Sequence, residues 1–385
     1  MSLLYGASPY RAMTAFFTET MTGLYIHIPF CIRKCRYCDF VSYCTGDREA
    51  YLDALIGEMH LYRGYEIGTV FIGGGTPTVL ETRQLEMLCG EVFENFNIAG
   101  GYEFTIEANP GTIDREKAAA LLSFGVNRIS IGVQSFNDSE LKAIGRIHDA
   151  KTAVRAVNDV CSAGFENISI DLMTALPDQT MASLMRSLKT AAALPLSHIS
   201  AYSLIIEDGT PMADDYEKGL LALPDEDEDR EMYAAAKTFL EQRGFLQYEI
   251  SNFAKQKKEC RHNINYWECG QYIGIGAAAH SYIGSVRSSN TDRLNEYLKK
   301  EYQTGERTIL TREDEISEFI IMGMRMNRGI GEAEFADKFG INIWDRYGAE
   351  LEKFCRGGFI LCADGRISFT DKGRDVSNSI LCEFC

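Results

Sequence analysis

The stretch Cys31-Ile-Arg-Lys-Cys35-Arg-Tyr-Cys38-Asp-Phe40, CIRKCRYCDF, places three cysteines within a short segment. It follows Leu24-Tyr-Ile-His-Ile28, an apolar and β-branched run that is typical of a buried strand. Closely spaced thiols on one loop are typical of a zinc or an iron-sulfur site. Because three thiols leave a tetrahedral site one ligand short, the stretch predicts a metal centre at the end of a strand.

The chain from Leu24 to about Leu204 repeats one plan, in which an apolar run is followed by a polar or glycine-rich corner and then by a segment with helical spacing. Such βα units form parallel strands, which either open into a doubly wound sheet or curl into a barrel. Six units predict an α/β fold with a partial (βα)6 barrel. The six runs are Leu24–Ile28, Val70–Ile72, Glu103–Ile106, Arg128–Ile131, Asn167–Ile170 and His198–Tyr202.

A polar or glycine-rich group follows each run. In a β/α barrel the carboxyl ends of the strands face one mouth, so we expect these groups to lie around a single site. An acid that closes a strand can also be only a helix cap. In chain order the groups are the three cysteines, Gly73-Gly74-Gly75-Thr76, Glu107, Gln134, Asp171 and Ser203.

The pattern beyond the barrel predicts three further segments. Residues 211–310 carry longer helical segments and an irregular aromatic stretch, Arg261-His-Asn-Ile-Asn-Tyr-Trp267. Residues 311–385 read as helices followed by a hairpin that turns at Asp364-Gly365, which is typical of a winged-helix-like unit. The predicted domain organisation is therefore an N-terminal segment, 1–22, the barrel, 23–210, and the two regions 211–310 and 311–385.

Composition limits the function classes. The chain has 385 residues, 45% of them apolar, and a net charge of −16, which disfavours a nucleic-acid partner. It has neither a signal-peptide pattern nor an apolar run long enough to span a membrane, so we expect a cytoplasmic protein. In that compartment its 12 cysteines are not expected to form a disulfide framework.

Two kinds of metal centre suit the cysteine loop. A closed zinc site needs a fourth ligand, for which Cys44 or His27 is available, although zinc sites usually draw two ligands from each of two separated knuckles. Three thiolates on a four-iron cluster leave one iron open for another ligand.

The spacing of Cys31, Cys35 and Cys38, C-x-x-x-C-x-x-C, resembles the signature of the radical S-adenosylmethionine (SAM) superfamily. The resemblance implies a 4Fe-4S cluster whose open iron binds SAM. In that superfamily the reduced cluster cleaves SAM to methionine and a 5′-deoxyadenosyl radical, which abstracts hydrogen from a substrate.

Four further motifs, from Tyr25 to Pro177, are similar to those of oxygen-independent coproporphyrinogen III dehydrogenase and its relatives. They are Tyr25-Ile-His-Ile-Pro-Phe-Cys31, Gly73-Gly-Gly-Thr-Pro-Thr78, Gly132-Val-Gln-Ser-Phe136 and Asp171-Leu-Met-Thr-Ala-Leu-Pro177. The resemblance covers the chain from about Gly23 to its end. It implies SAM contacts at Tyr25, Tyr37, Gly74, Gly75, Thr76, Glu107, Gln134, Arg146 and Asp171.

The motif His262-Asn263-Ile-Asn-Tyr266-Trp267 resembles the H-N-x-x-Y-W motif of relatives that act as heme chaperones. It implies heme contacts at His262, Asn263, Tyr266 and Trp267, since histidine is a common axial ligand of heme iron. Without the family, a histidine among aromatic residues is more often simply packed in a core. Two departures from the dehydrogenase are Phe40, where that enzyme has a further cysteine, and a shorter N-terminal arm.

The sequence therefore predicts a heme chaperone that binds heme, a 4Fe-4S cluster and SAM and transfers heme to acceptor proteins. The alternatives are an oxygen-independent coproporphyrinogen III oxidase and a zinc-stabilised interaction module. Expected partners are heme or a porphyrinogen, heme acceptors and a flavodoxin- or ferredoxin-type electron donor, with transient membrane contact through acceptors and a possible homodimer. No catalytic residue is assigned, and the roles of four cysteines stay open: Cys260, Cys269, Cys382 and Cys385.

Overall fold

A computed structural model describes residues 21–302 and 305–384 of the chain. The described chain divides into two compact units. Among the described residues, the larger unit contains 22–266 and 271–311, and the smaller unit contains 267–270 and 312–384. Residues 1–20 of the predicted N-terminal segment, and Cys385, lie outside the described residues.

The larger unit is an α/β structure. Within its described residues the strands are β1 (Thr22–Ile28), β2 (Glu66–Gly74), β3 (Asn97–Ala108), β4 (Arg128–Gln134), β5 (Ile168–Thr174), β6 (His198–Ser203), β7 (Leu246–Gln247), β8 (Asn252–Ala254), β9 (Tyr272–Ile275), β10 (His280–Ile283), β11 (Val286–Ser289) and β12 (Arg307–Ile309). Its helices are α1 (Arg48–Met59), α2 (Thr82–Asn95), α3 (Arg115–Ser123), α4 (Asp138–Ala143), α5 (Ala150–Ser162), α6 (Met181–Ala192), α7 (Pro211–Glu217), α8 (Glu226–Glu241), α9 (Arg261–Trp267, whose last residue belongs to the smaller unit) and α10 (Leu294–Tyr297).

These strands form one mixed sheet in the order β12-β11-β10-β9-β1-β2-β3-β4-β5-β6-β8-β7 across the described residues. Strands β1 to β6 are parallel neighbours, which confirms the six predicted runs and the predicted α/β fold. The sheet stays open, with β12 and β7 at its edges. The region 211–310 differs from its predicted helical character, because short strands there pair onto both sides of the six-strand core.

The alternation of side chains along β3 shows how the sheet separates core from site. Phe104 and Ile106 are completely buried and belong to the main apolar core together with Leu85 and Leu88 of α2. Successive strand residues point to opposite faces, so Glu103 and Glu107 lie on the other face of β3. The polar face therefore lines the inside of the partial barrel, and the apolar face packs against helices.

The described part of the smaller unit contains helices and a three-stranded sheet with the order β13-β15-β14. At the predicted turn, Asp364 and Gly365 adopt φ of 52° and 70°, the left-handed conformations that a tight two-residue hairpin requires. This confirms the predicted hairpin. The elements are α11 (Arg312–Gly323), β13 (Ile330–Gly331), α12 (Glu332–Phe339), α13 (Ile343–Arg356), β14 (Ile360–Ala363), β15 (Arg366–Phe369), α14 (Asp371–Asp375) and α15 (Ser377–Leu381).

Across the described ranges, every helix is too short or too polar to cross a lipid bilayer.

Candidate functional site

The cysteine loop joins β1 to α1 and is fixed by backbone hydrogen bonds. The N–H of Cys31 donates to the carbonyl of Tyr43 at 3.0 Å, and the N–H of Cys38 donates to the carbonyl of Cys35 at 3.4 Å. The three thiols are half-buried. The loop therefore holds all three sulfur atoms at the carboxyl end of β1, as the sequence predicts.

The surroundings of these thiols fit an iron-sulfur cluster. Burial raises the pKa of Cys38 to about 11, and the neighbouring Cys35 adds to the shift, so bound metal is needed to hold Cys38 as a thiolate. Within the described ranges, no three His, Cys, Asp or Glu side chains are grouped around the position of a single ion. A four-iron cluster does not require such a group, since each thiolate binds a different iron.

Glycines allow the end of β2 to approach the cysteine loop closely. A Cβ atom on Gly75 would lie 2.7 Å from the carbonyl oxygen of Phe30, the residue before Cys31. Gly74 adopts a φ of 104°, and a Cβ there would lie 2.4 Å from the ring of His27. Both positions therefore require glycine, because a side chain at either would collide with the segment that leads into the cysteine loop.

Two carboxylates lie on β3 and β5 inside the barrel. The N–H of Gly74 donates to Oε2 of Glu107 at 3.1 Å. Burial raises the pKa of Glu107 to about 8, and the charge of Asp171 adds to the shift. Burial also raises the pKa of Asp171, to which the Ser130 hydroxyl donates at 3.5 Å. The structure thus brings together two acids that the sequence placed on separate strands.

Arg146 lies beside the cluster loop, where it donates to Sγ of Cys35 at 3.4 Å. It also donates to Oδ1 of Asn109 at 2.5 Å, and Asn109 donates to the hydroxyl of Thr76 at 2.6 Å. The Nε of Arg146 is buried and has no protein partner, so it can donate to an acceptor on a bound ligand. A small pocket opens here, lined among others by Cys35, Thr76, Asn109, Arg146 and His148.

Sequence reasoning missed Asn109 and His148 in this pocket. Asn109 lies two residues beyond Glu107 at the end of the same strand, and that position was a usable signal. His148 lies two residues beyond Arg146, and its Nε2 bonds to the carbonyl of Val133 at 3.1 Å. No strand-end pattern marks His148, so only the fold brings it into the pocket.

Three of the predicted SAM contacts, Gln134, Tyr37 and Tyr25, carry amide or aromatic side chains. Gln134 has a φ of 69°, and its Oε1 accepts a hydrogen bond from the hydroxyl of Tyr202 at 3.3 Å. The side chain of Tyr37 packs against a small apolar cluster that includes Met212. Tyr25 contacts His27 through a 3.0 Å hydrogen bond to Nδ1. The sequence analysis did not single out Tyr202, because it named the next residue, Ser203, as the polar group at the end of β6.

The H-N-x-x-Y-W motif forms the helix α9, whereas the sequence suggested an irregular stretch. Its first turn is held by Glu103, whose carboxylate accepts the N–H groups of Arg261 and His262, each at 3.0 Å. A carboxylate at this position stabilises a helix N-terminus.

The imidazole of His262 is buried and hydrogen-bonded at both nitrogens. Its side chain is 1% exposed. Nδ1 pairs with the Thr69 hydroxyl at 2.9 Å, and Nε2 pairs with the Tyr266 hydroxyl at 3.0 Å. Burial lowers the pKa of His262 to about 3, so the ring is neutral. This arrangement does not fit axial heme ligation, which needs a free ring nitrogen; the predicted heme contact stays a prediction that requires Tyr266 to move.

The other two motif residues are half-buried. Asn263 lies in the larger unit, whereas Trp267 clusters with the smaller unit. There the guanidinium of Arg325 lies 4.6 Å from the centre of the Trp267 ring. A cation over this face stabilises the ring by a cation–π interaction.

Comparison with known proteins places these features in a family. Residues 25–191 match the Radical SAM superfamily, and residues 310–376 match the HemN C-terminal domain. A protein named heme chaperone HemW from Lactococcus lactis is 38% identical over 94% of this chain and 96% of its own length. The chain belongs to the HemW family of radical SAM proteins. A HemW protein from Bacillus subtilis is also 38% identical, over 94% of this chain and 99% of its own length.

A solved structure extends the HemW comparison to the whole fold. Coproporphyrinogen III oxidase (HemN) from Escherichia coli, described as a radical SAM enzyme, matches with a TM-score of 0.82. It is 26% identical, over 96% of this chain and 91% of that chain. The predicted family resemblance is therefore confirmed. Membership of the radical SAM superfamily implies a 4Fe-4S cluster and SAM, for which the cysteine loop and the adjoining pocket supply a fitting set of groups.

Proposed function

We propose that this protein is a heme chaperone that binds heme and delivers it to acceptor proteins. The observation that carries the proposal is the 38% identity to proteins named heme chaperone HemW along nearly the whole of both chains. Identity to the HemN oxidase is lower, at 26%. Phe40 stands where the dehydrogenase has a further cysteine. It is 63% exposed and carries no ionisable group, so it cannot donate a proton at that position.

In this proposal the residues of the barrel mouth hold the cluster and SAM. Cys31, Cys35 and Cys38 bind three irons, while the backbone at Gly74 and Gly75 approaches the cofactor closely. The remaining contacts use polar groups: Glu107, Gln134 and Asp171 accept or donate hydrogen bonds, and Tyr25, Tyr37, Thr76 and Arg146 border the same site. The cluster with SAM supplies one-electron chemistry when both are bound.

The heme contacts at His262, Asn263, Tyr266 and Trp267 are a separate part of the proposal. Neutral imidazole is the form of histidine that ligates iron, and the low pKa of His262 supports that form. Its Nε2 becomes available only when the Tyr266 hydroxyl leaves. The proposed partners are heme acceptors and a flavodoxin- or ferredoxin-type reductant, in the cytoplasm.

The testing experiment follows heme transfer and porphyrinogen turnover in the same preparation. The anaerobic protein with reconstituted cluster receives dithionite, SAM and coproporphyrinogen III, and 5′-deoxyadenosine and decarboxylated porphyrins are measured. In parallel, the heme-loaded protein is mixed with an apo heme protein, and transfer is followed by the Soret band. We expect transfer without decarboxylated product.

The controls separate the alternatives. A HemN-type oxidase must give product under the same conditions. Decarboxylated product in proportion to this protein would overturn the chaperone proposal in favour of an oxidase. Zinc without acid-labile sulfide in the purified protein would contradict both the chaperone and the oxidase, and would favour a zinc-stabilised interaction module.

A further inference from the structure

Two cysteines outside the cofactor site lie in contact within the smaller unit. Cys355 is in the last turn of α13 and Cys362 is in β14, seven positions further along the chain. Their Sγ atoms are 2.6 Å apart. This is longer than a covalent S–S bond, about 2.05 Å, and shorter than the separation that two unbonded sulfur atoms normally keep. Both thiols are free in the structure.

Backbone hydrogen bonds fix the two sulfur positions. After α13 the chain reverses at Gly358, whose N–H donates to the carbonyl of Cys355 at 3.1 Å. Gly358 has a φ of 73°, which residues with side chains rarely adopt. On β14, Cys362 lies opposite Ile367 of β15 and shares a face with the buried Ile360. The contact therefore follows from the local fold.

We propose that Cys355 and Cys362 are a modification site at which a reversible disulfide forms. Each thiol loses one hydrogen and the two sulfur atoms bond. The two electrons and two protons pass to a low-molecular-weight disulfide such as oxidised glutathione, which becomes two thiols. The bond ties β14, an edge strand of its sheet, to the end of α13. It involves none of the residues proposed to bind the cluster, SAM or heme.

The exchange requires a thiolate, which links its rate to pH. Burial raises the pKa of Cys362 to about 12, and the hydrogen bond with Cys355 adds to the shift. The thiolate is the nucleophile in thiol–disulfide exchange, so one thiol first attacks oxidised glutathione and the other then closes the bond by displacing reduced glutathione. The rate of closure should therefore increase with pH.

The test uses the full chain in glutathione buffers of increasing oxidation. Samples are quenched in acid and alkylated, and peptides are mapped by mass spectrometry. Cys382 is the matched control, since it is an exposed thiol of the same unit. We expect a Cys355–Cys362 cross-linked peptide, lighter by two hydrogen atoms and lost on reduction, in buffers where Cys382 is still alkylated.

Two outcomes would overturn the proposal. One is that Cys355 and Cys362 remain separately alkylated when Cys382 already carries glutathione. The other is that they form mixed disulfides with glutathione without the cross-link. In Cys362→Ser the cross-link should disappear and Cys355 should retain glutathione. The wild-type peptide map decides the question even if this variant folds poorly.

Discussion

The backbone N–H of Gly74 donates a hydrogen bond to Oε2 of Glu107 at 3.1 Å. This bond connects the carboxyl ends of β2 and β3, two strand ends that the sequence predicts to contact SAM. Because it occupies one lone pair of one oxygen, Glu107 keeps further acceptor capacity toward a ligand. The same carboxylate therefore orients the glycine corner and faces the proposed site.

We expect Glu107→Gln to weaken SAM binding at least tenfold, because the amide offers fewer acceptor sites than a carboxylate. The pKa of Glu107 is raised to about 8, so its carboxylate fraction increases as the pH rises through 8. Wild-type SAM affinity should increase over the same range, and the variant should lack this dependence. Isothermal titration calorimetry of the cluster-loaded protein measures both effects.

The control for Glu107 is Glu116→Gln, a change on the exposed surface of α3. It should leave SAM affinity and its pH profile unchanged. Equal SAM affinities for Glu107→Gln and wild type at pH 8.5 would contradict a direct contact.

We expect Gly75→Ala to disrupt the cysteine loop. The added Cβ would meet the carbonyl oxygen and the nitrogen of Phe30 at 2.7 and 2.8 Å, and neither backbone atom can move without shifting the chain next to Cys31. Iron and acid-labile sulfide per chain should fall by at least half after reconstitution. Gly90→Ala is the control, because a Cβ there meets nothing within 4 Å. Full cluster content in Gly75→Ala would argue against a tight fit at this corner.

We expect Tyr266→Phe to strengthen heme binding several-fold, because it removes the hydroxyl that occupies Nε2 of His262. His262→Ala should weaken heme binding and change the Soret band. Spectroscopic heme titration of both variants measures these effects, with Tyr216→Phe as an exposed tyrosine control. If heme affinity and spectrum are the same in all three variants, His262 is not the ligand.

We expect the stability of the larger unit to depend on pH through Glu58. This residue is 0% exposed and accepts hydrogen bonds from Tyr297, Asn290 and the N–H of Gly276. Burial raises its pKa from 4.5 to about 7, although these bonds oppose the shift. A raised folded-state pKa gives stability that is complete below the unfolded pKa and is lost as the pH rises through the folded pKa.

The free energy of unfolding of wild type, relative to Glu58→Gln, should therefore fall by about 3 kcal/mol between pH 4.5 and 7. Chemical denaturation at several pH values measures this difference, in which the contributions of other groups largely cancel. A difference that grows with pH would show that the hydrogen bonds outweigh the burial.

The sequence predicted the strands and the cysteine loop because both signals are local. β-Branched runs such as Arg128–Ile131 are confirmed within β4, and the turn at Asp364-Gly365 follows from two residues that tolerate left-handed backbone. The sequence did not predict the short strands β7 to β12. Strands of two to four residues carry too little periodicity, and they form because they pair with the edges of an existing sheet.

Sequence by itself determined the family, the six βα units and the three thiols, since each depends on residue types at fixed spacing along the chain. Only the tertiary structure decided which nitrogen and oxygen atoms are free. It paired both nitrogens of His262 with Thr69 and Tyr266, left Nε of Arg146 without a protein partner, and brought Cys355 against Cys362. Hydrogen bonding and burial depend on how the chain packs in three dimensions, even between residues as close in sequence as His262 and Tyr266, and spacing alone does not encode them.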